Sequence, residues 1–308
     1  MIEIFKAKSV ITVNPSLPRT EVIAVRDGRI IETGSLESLK PWLKNNEFTI
    51  HDDFEESIIV PGLIDPHLHP SMAAVLLPTY FITAMEWKFP WGLTKATTTP
   101  ESYDKALLEA CSTPTHKDLF ITWGHHELWH GPISRDRINA LDSHTPIIVW
   151  NRSFHELCMN DAALEYLEIK EDDVKNSSQI DFVRGRFFET GLSFALQKLN
   201  PYILDQEIFT EGLRKLKEVV HFGGHTTIAD MAVGLFDFEN ELNAQKLIYE
   251  NENNPFRVEL VAHATAMASL SGGDHVKGEQ LISSLNTHNS DHLRFDKRVK
   301  LFTDGAFF

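Results

Sequence analysis

Two histidines, His67 and His69, stand two apart in the run Leu63-Ile64-Asp65-Pro66-His67-Leu68-His69-Pro70. Side chains alternate along an extended strand, so both imidazoles leave the same face. Two neutral imidazoles converging on one point are the beginning of a divalent-metal site. Asp65 shares that face, where it can hydrogen-bond and orient a ligand histidine. A His-x-His pair alone serves structural roles as readily, so its setting matters. It follows Ser57-Ile58-Ile59-Val60, an apolar run stopped by Pro61-Gly62. Such a run suits a strand buried on both faces of a parallel sheet. Histidines just beyond it fall at the C-terminal edge, where α/β barrels carry their active sites.

Other polar clusters follow other strand candidates. Trp123-Gly124-His125-His126-Glu127-Leu128-Trp129-His130 ends the run Leu119–Trp123. Adjacent histidines on a strand diverge, so His125 and His126 cannot both bind one ion without a turn. The expectation is that this stretch, Trp123 included, lines a pocket or packs loop on loop. Arg152, His155 and Asn160 follow Pro146–Trp150. They offer a guanidinium fork and hydrogen bonds for a substrate carbonyl or carboxylate. Alternatively Arg152 and His155 tie a long insertion in place and Asn160 caps a helix. Asp230 and Asp304 each end a strand. Asp230 would cap the next helix or hydrogen-bond a ligand histidine, and Asp304 is counted with the substrate-facing residues.

The elements that must hold these groups read as α/β. Residues 1–57 are rich in β runs, and Asp27-Gly28 between two of them signals a hairpin with positive φ at both turn residues. The expectation is a small β-sandwich unit over 1–57, then a barrel portion over 58–308 with an insertion at about 71–204. From Asp205 onward helix and strand alternate: a helix to His221, stopped by Gly223-Gly224, then strands at Thr226–Asp230, Phe256–Ala262 and Arg298–Phe302. This alternation implies a parallel sheet.

Composition excludes several classes. With 29 Lys+Arg against 44 Asp+Glu, the net charge of −15 leaves no basic footprint for nucleic acid or anionic membranes. No run approaches the roughly 18 apolar residues of a membrane span. No signal peptide is visible at the start, and two cysteines build no disulfide framework, so a cytoplasmic setting is expected. Fifteen histidines are the unusual feature.

Val60-Pro61-Gly62-Leu63-Ile64-Asp65-Pro66-His67-Leu68-His69 resembles the first barrel strand of the amidohydrolase superfamily. Trp150–His155, Asn160 with Ala162-Ala163-Leu164, Phe188-Glu189-Thr190-Gly191, Gly224-His225-Thr226-Thr227 with Asp230, and Val299–Gly305 follow in order. This series is similar to the YtcJ-like branch, which includes N-substituted formamide deformylase. The resemblance implies a (β/α)8 TIM-type barrel and hydrolysis of C–N bonds in a small amide or formamide by metal-activated water. It makes His67 and His69 metal ligands. Lys300 matches a position where relatives carry a carboxylated lysine bridging two metals, or it is a salt-bridged strand-end lysine. Glu189 is a rival carboxylate ligand, or an exposed acid before a helix. Zinc is the expected ion, one or two, and a homo-oligomer is compatible. No residue matches the family's catalytic Asp or its later metal histidines, so the catalytic residue is not assigned. The strands match the first four of a barrel, so the chain reads as the N-terminal part of a longer protein. Two alternatives stand beside this: a non-catalytic half-barrel needing a missing C-terminal part, and a complete barrel whose second and third strands are 119–123 and 146–150.

Overall fold

The computed structural model describes residues 1–112, 119–251 and 253–301; Asp304 lies outside them. The chain divides into two compact units, Met1–Leu63 and Ile64–Phe308.

In the first unit, β1 (Ile2–Ile11), β2 (Arg19–Arg26), β3 (Arg29–Gly34) and β4 (Phe48–Ile59) form one sheet in the order β3-β2-β1-β4. β1 is antiparallel to β2 and parallel to β4. The hairpin turn falls at Asp27 and Gly28, with φ of 52° and 70°, the left-handed pair of a two-residue turn. The described strands of this unit make a single sheet, not the two of a sandwich. The sequence after β3 explains this. Ser35 and Ser38 form a capping box that starts α1 (Leu36–Leu43). Its Leu39 joins Ile2, Ile4, Val22 and Ala24, covering the face a second sheet would cover. The apolar run Ser57–Val60 feeds the end of β4 here, and Ile58 and Val60 are exposed rather than buried on both faces.

The second unit holds a six-stranded sheet, a four-stranded sheet and a small hairpin. Its elements begin with β5 (Leu63–Leu68), α2 (Pro70–Leu76), β6 (Tyr80–Phe81), the hairpin β7 (Trp87–Phe89) and β8 (Gly92–Thr94), and α3 (Pro100–Cys111). Next come β9 (Phe120–His125), α4 (Glu127–His130), α5 (Arg135–Leu141), β10 (Ile147–Asn151), β11 (Glu156–Met159), α6 (Asp161–Tyr166) and α7 (Glu171–Val174). Two short strands, β12 (Ile180–Asp181) and β13 (Arg186–Phe188), precede α8 (Thr190–Ile203) and α9 (Gln206–Phe222). The last third runs β14 (His225–Val233), α10 (Phe238–Tyr249), β15 (Arg257–His263), α11 (Ala264–Leu270), α12 (His275–Ser284) and β16 (Leu293–Lys300).

The six-stranded sheet has the order β12-β13-β11-β10-β9-β6. It is buried on both faces, and the side-chain alternation shows it. Ile121, Trp123, Ile148, Trp150 and Leu157 enter one core; Phe120, Ile147, Val149 and Cys158 enter another with Tyr103 and Leu107 of α3. Continuous apolar runs are therefore required of β9 and β10. These strands pair with each other and with β6 and β11, not with the sheet that carries His67. That placement removes the complete-barrel alternative.

The four-stranded sheet has the order β16-β15-β14-β5, in which β14, β15 and β16 are mutually parallel. Its strand order follows the chain, with helices in the connections. Along β14, Ile228, Asp230 and Ala232 are buried, whereas Thr227, Ala229 and Met231 on the opposite face are not. β5 is an edge strand with Ile64 67% exposed, so the expected two-sided burial does not hold for it. The observed architecture is mixed α/β with parallel sheets.

Candidate functional site

β5 ends at Leu68, and α2 starts directly after His69 with Pro70 as its first residue. Proline there has its φ preset for a helix and lacks an N–H that would go unused. His69 is thus the N-cap of α2, yet its side chain makes no capping hydrogen bond. The rings of His67 and His69 meet edge to face, centroids 5.2 Å apart and planes at 85°. His69 Nδ1 is buried and has no hydrogen-bond partner. Burial first, then the charges of His67, Lys300 and His263, hold its imidazole below the usual histidine range. These four side chains therefore gather at one end of the four-stranded sheet. Lys300 ends β16, and its Cα is paired in register with that of His263 at the end of β15.

His263 was not among the residues expected from the sequence. It repeats the His69 arrangement: a strand ends, a histidine caps the next helix by position, and no side-chain cap bond forms. Burial also lowers its imidazole below the ordinary range. The signal was present in the order strand, histidine, helix, but the strand reads most simply as ending at Ala262.

The other expected residues are placed elsewhere. Asp65 Oδ1 accepts the His67 backbone N–H at 3.0 Å, a bond to the backbone of β5 and not to an imidazole. Glu189 Oε1 lies 3.1 Å from His155 Nδ1, joining β11 to the start of α8. Among the described residues no three His, Cys, Asp or Glu side chains gather as a metal-holding group, so Glu189 does not join the histidine pair. His155 and Glu189 border a cavity of about 530 Å³ with Ser153, Arg184 and Arg186. Arg152 is exposed beside it, its backbone N–H donating to His125 O at 2.8 Å.

Asn160 is a structural residue. It is fully buried, and its side chain is saturated. Oδ1 accepts from Ile147 N–H (2.9 Å) and Ala163 N–H (3.0 Å), while Nδ2 donates to Asp142 O (3.1 Å) and Thr145 O (2.8 Å). It caps α6 and ties β10, leaving nothing for a substrate. Trp123 is a core side chain, 4% exposed, stacked on Phe154 and set edge-on to Trp87. The alternation of a doubly buried strand sends it inward. Asp230 is buried on the helix side of β14, accepting from Ala232 N–H (3.1 Å) and Gln245 Nε2 (2.7 Å). These partners lie on its own strand and on α10. Another cavity, about 540 Å³, is lined by Val75, Tyr80, Ile121, Tyr202, Ile208 and Lys215 and draws on none of the histidines.

The donor set answers in part to a divalent ion. Two imidazoles, with an unpartnered Nδ1 on His69, fit it; an ammonium such as that of Lys300 fits only once it has lost a proton.

The fold is that of known hydrolase structures. Uncharacterized metal-dependent hydrolases from Pyrococcus horikoshii and Pyrococcus furiosus superpose over 99% of this chain, with TM-scores of 0.70 and 0.68. At 19% and 18% identity the likeness is one of fold. Protein LONG AFTER FAR-RED 3 of Arabidopsis thaliana is 39% identical over 171 residues, 54% of this chain. The chain spans 27% of that curated relative and 55% and 57% of the two solved chains. No protein-family model matches it. Among the described residues no helix is long and apolar enough to cross a membrane.

Proposed function

We propose that this chain carries part of a metal-dependent hydrolase centre acting on C–N bonds of small amides or formamides. It would be a cytoplasmic enzyme of the YtcJ-like branch of the amidohydrolases. The observation that carries the reading is the gathering of His67, His69, His263 and Lys300 at one end of a parallel sheet, with a buried, unpartnered nitrogen on His69. A divalent ion bound there, zinc first for imidazole donors, would supply Lewis acidity and water of lowered pKa. His67 and His69 would hold it. Lys300 would contribute as a carboxylated side chain, since an ammonium repels a cation. His263, kept neutral by burial, would hydrogen-bond the substrate carbonyl or its leaving nitrogen.

A second reading has its own observation. Among the described residues the four-stranded sheet ends at β5 and β16, where Ile64 and Val299 are 67% and 37% exposed. Its face bearing Thr227, Ala229 and Met231 is also less covered than the helix side. Edge strands present unpaired backbone N–H and C=O groups that a further strand can take up. On this reading the sheet is the first four strands of a (β/α)8 barrel, and the site is completed by polypeptide beyond this chain.

One experiment judges both. Metal content by elemental analysis and turnover of N-substituted formamides are measured for the 308-residue chain and for a version extended past Phe308. Substoichiometric metal and no turnover in the shorter chain, with both restored in the longer, is the expected result. Robust turnover by the shorter chain overturns the half-barrel reading. Metal in neither overturns the hydrolase reading.

A further inference from the structure

Glu241 is a carboxylate with 0% exposure, one turn into α10. Four donors converge on it. Oε1 accepts from the backbone N–H groups of Phe236 (2.6 Å) and Asp237 (2.9 Å), and Oε2 from Gly234 N–H (2.8 Å). The fourth donor comes from another helix: Ser71 Oγ, 2.6 Å from Oε2 and 170 residues away in sequence. Ser71 is itself 2% exposed and stands in the first turn of α2, two residues after His69. Glu241 therefore folds the loop after β14 around itself and ties that loop to the helix that begins at His69. β14 and β5 are neighbours in the sheet, so the knot joins the turns that follow two adjacent strands.

Three residues beyond Ser71, α2 is also fixed by close packing against α9. A Cβ on Gly212 of α9 would lie 1.9 Å from Ala74 O, so only glycine permits this approach. The side chain of His69 makes no capping bond, and α2 is seven residues long. Little in so short a helix sets the placement of its first residue apart from what grips it from outside. A buried carboxylate with four charge-assisted hydrogen bonds is a rigid grip.

We propose that Glu241 is a positioning residue for the metal centre, acting through Ser71 to hold the first turn of α2 and with it the His69 imidazole. This rests on the metal reading above, and the test separates the two. Ser71→Ala removes the link to α2 but leaves Glu241 its three backbone donors, so the loop keeps its form. Three quantities are measured on the full chain: Co²⁺ affinity, amide exchange at Ala73, and the histidine ring signals in ¹H–¹³C spectra. Ala73 is chosen because its N–H donates to His69 O at 3.0 Å. The expected result is Co²⁺ affinity lowered about tenfold, as when a supporting hydrogen bond is taken from a metal ligand. Ala73 exchange rises, the His69 ring signal moves while that of His155 does not, and Ser71→Thr restores all three. Asn160→Ala, which loses buried hydrogen bonds far along the chain, lowers stability but leaves Co²⁺ affinity unchanged. A Ser71→Ala protein with wild-type affinity, exchange and ring signals overturns the proposal. Should the wild type take up no Co²⁺, the metal reading falls, and Ala73 exchange with the ring signals judges Glu241 alone.

Discussion

Two groups of histidines follow strands in this protein, and they differ in how their nitrogens are used. In the group after β9, His130 Nδ1 accepts the His126 N–H at 3.0 Å, which leaves its proton on Nε2, 2.9 Å from Thr97 O. His126 caps α4 by accepting the Leu128 N–H, and His125 Nε2 reaches Gly131 O at 3.1 Å. Tyr103 stacks on His130 with centroids 4.5 Å apart. His125 Nδ1 is left without a partner, yet it belongs to a ring packed edge-on to Tyr103 within the core. In the group after β5 and β15, neither His69 nor His263 caps its helix. Both groups are histidine-rich strand ends. Capping bonds, backbone carbonyls and the stack on Tyr103 hold the rings after β9, whereas His69 and His263 make no capping bond; that use of the ring, not residue type, separates the two groups.

Substitution should split the two groups most sharply. His130→Ala empties a fully buried site and strands Thr97 O and the His126 N–H, so a loss of about 3–4 kcal/mol is expected in urea unfolding. Whatever remains folded should bind Co²⁺ normally. His67→Ala with His69→Ala should do the reverse: Co²⁺ binding lost, stability within about 1 kcal/mol, since β5 is an exposed edge. Equal loss of stability in the two variants would erase the distinction.

Asn160→Ala probes the same division at a residue whose type suggested substrate contact. Its four hydrogen bonds are internal, so the expected cost is about 2–3 kcal/mol, a lost cap plus buried groups left unsatisfied. In an active extended chain, KM should not move. A raised KM with unchanged stability would return Asn160 to the substrate side.

The histidine scaffold also predicts an acid response. Burial, then the His130 charge, pushes His125 down to about 3 from the ordinary 6.5. Above 6.5 neither the folded nor the unfolded state binds this proton, and the full stability is present. As pH falls below 6.5 the unfolded chain takes up the proton and the folded chain does not, so stability is lost down to about 3. At about 1.4 kcal/mol per unit, the His125 contribution falls by about 2 kcal/mol by pH 5. His125→Gln, neutral throughout, removes that slope; unfolding curves at pH 7, 6 and 5 for both proteins give the difference. A difference that does not vary with pH would mean His125 is protonated in the fold.

Much of this architecture was legible because it is local. The Asp27-Gly28 turn, the helix after Asp205 and the alternating last third are written in turn chemistry and period. α1 was missed because Pro41 and a short apolar pattern hide it, and its role is tertiary: Leu39 closes a sheet face. The site was harder. His67 and His69 announce themselves by spacing, but Glu189 meets His155 across 34 residues and Ser71 meets Glu241 across 170, which no spacing encodes. Trp123 and Asn160 look like pocket residues by type; only the two-sided burial of β9 and the four filled hydrogen bonds show otherwise.

The smallest effect, and the one that tests the acid argument hardest, concerns Asp230. Burial raises its carboxyl to about 7 from 3.8. The sign opposes that of His125. Below 3.8 both states hold the proton; as pH rises from 3.8 to 7 the unfolded chain ionises and the folded chain does not, so stability is lost upward through that window. Between pH 5 and 6.5 these two slopes therefore offset each other, and the wild type should fall less there than His125 alone would make it fall. Asp230→Asn removes one of them. Its side-chain oxygen can keep the Ala232 N–H, and its amide can donate to Gln245 Oε1, which is buried and unpartnered, once the Gln245 amide turns over. The gain at pH 8 should be about 1 kcal/mol, less than the full linkage term because Gln245 must reorient. In that variant Asp230 no longer opposes the His125 slope, so from pH 6.5 to 5 stability should fall by about 2 kcal/mol more than in the wild type. A wild type that already falls by about 2 kcal/mol over this range, with the variant falling no further, would show that Asp230 is ionised in the fold and that no acid opposes the histidine slope.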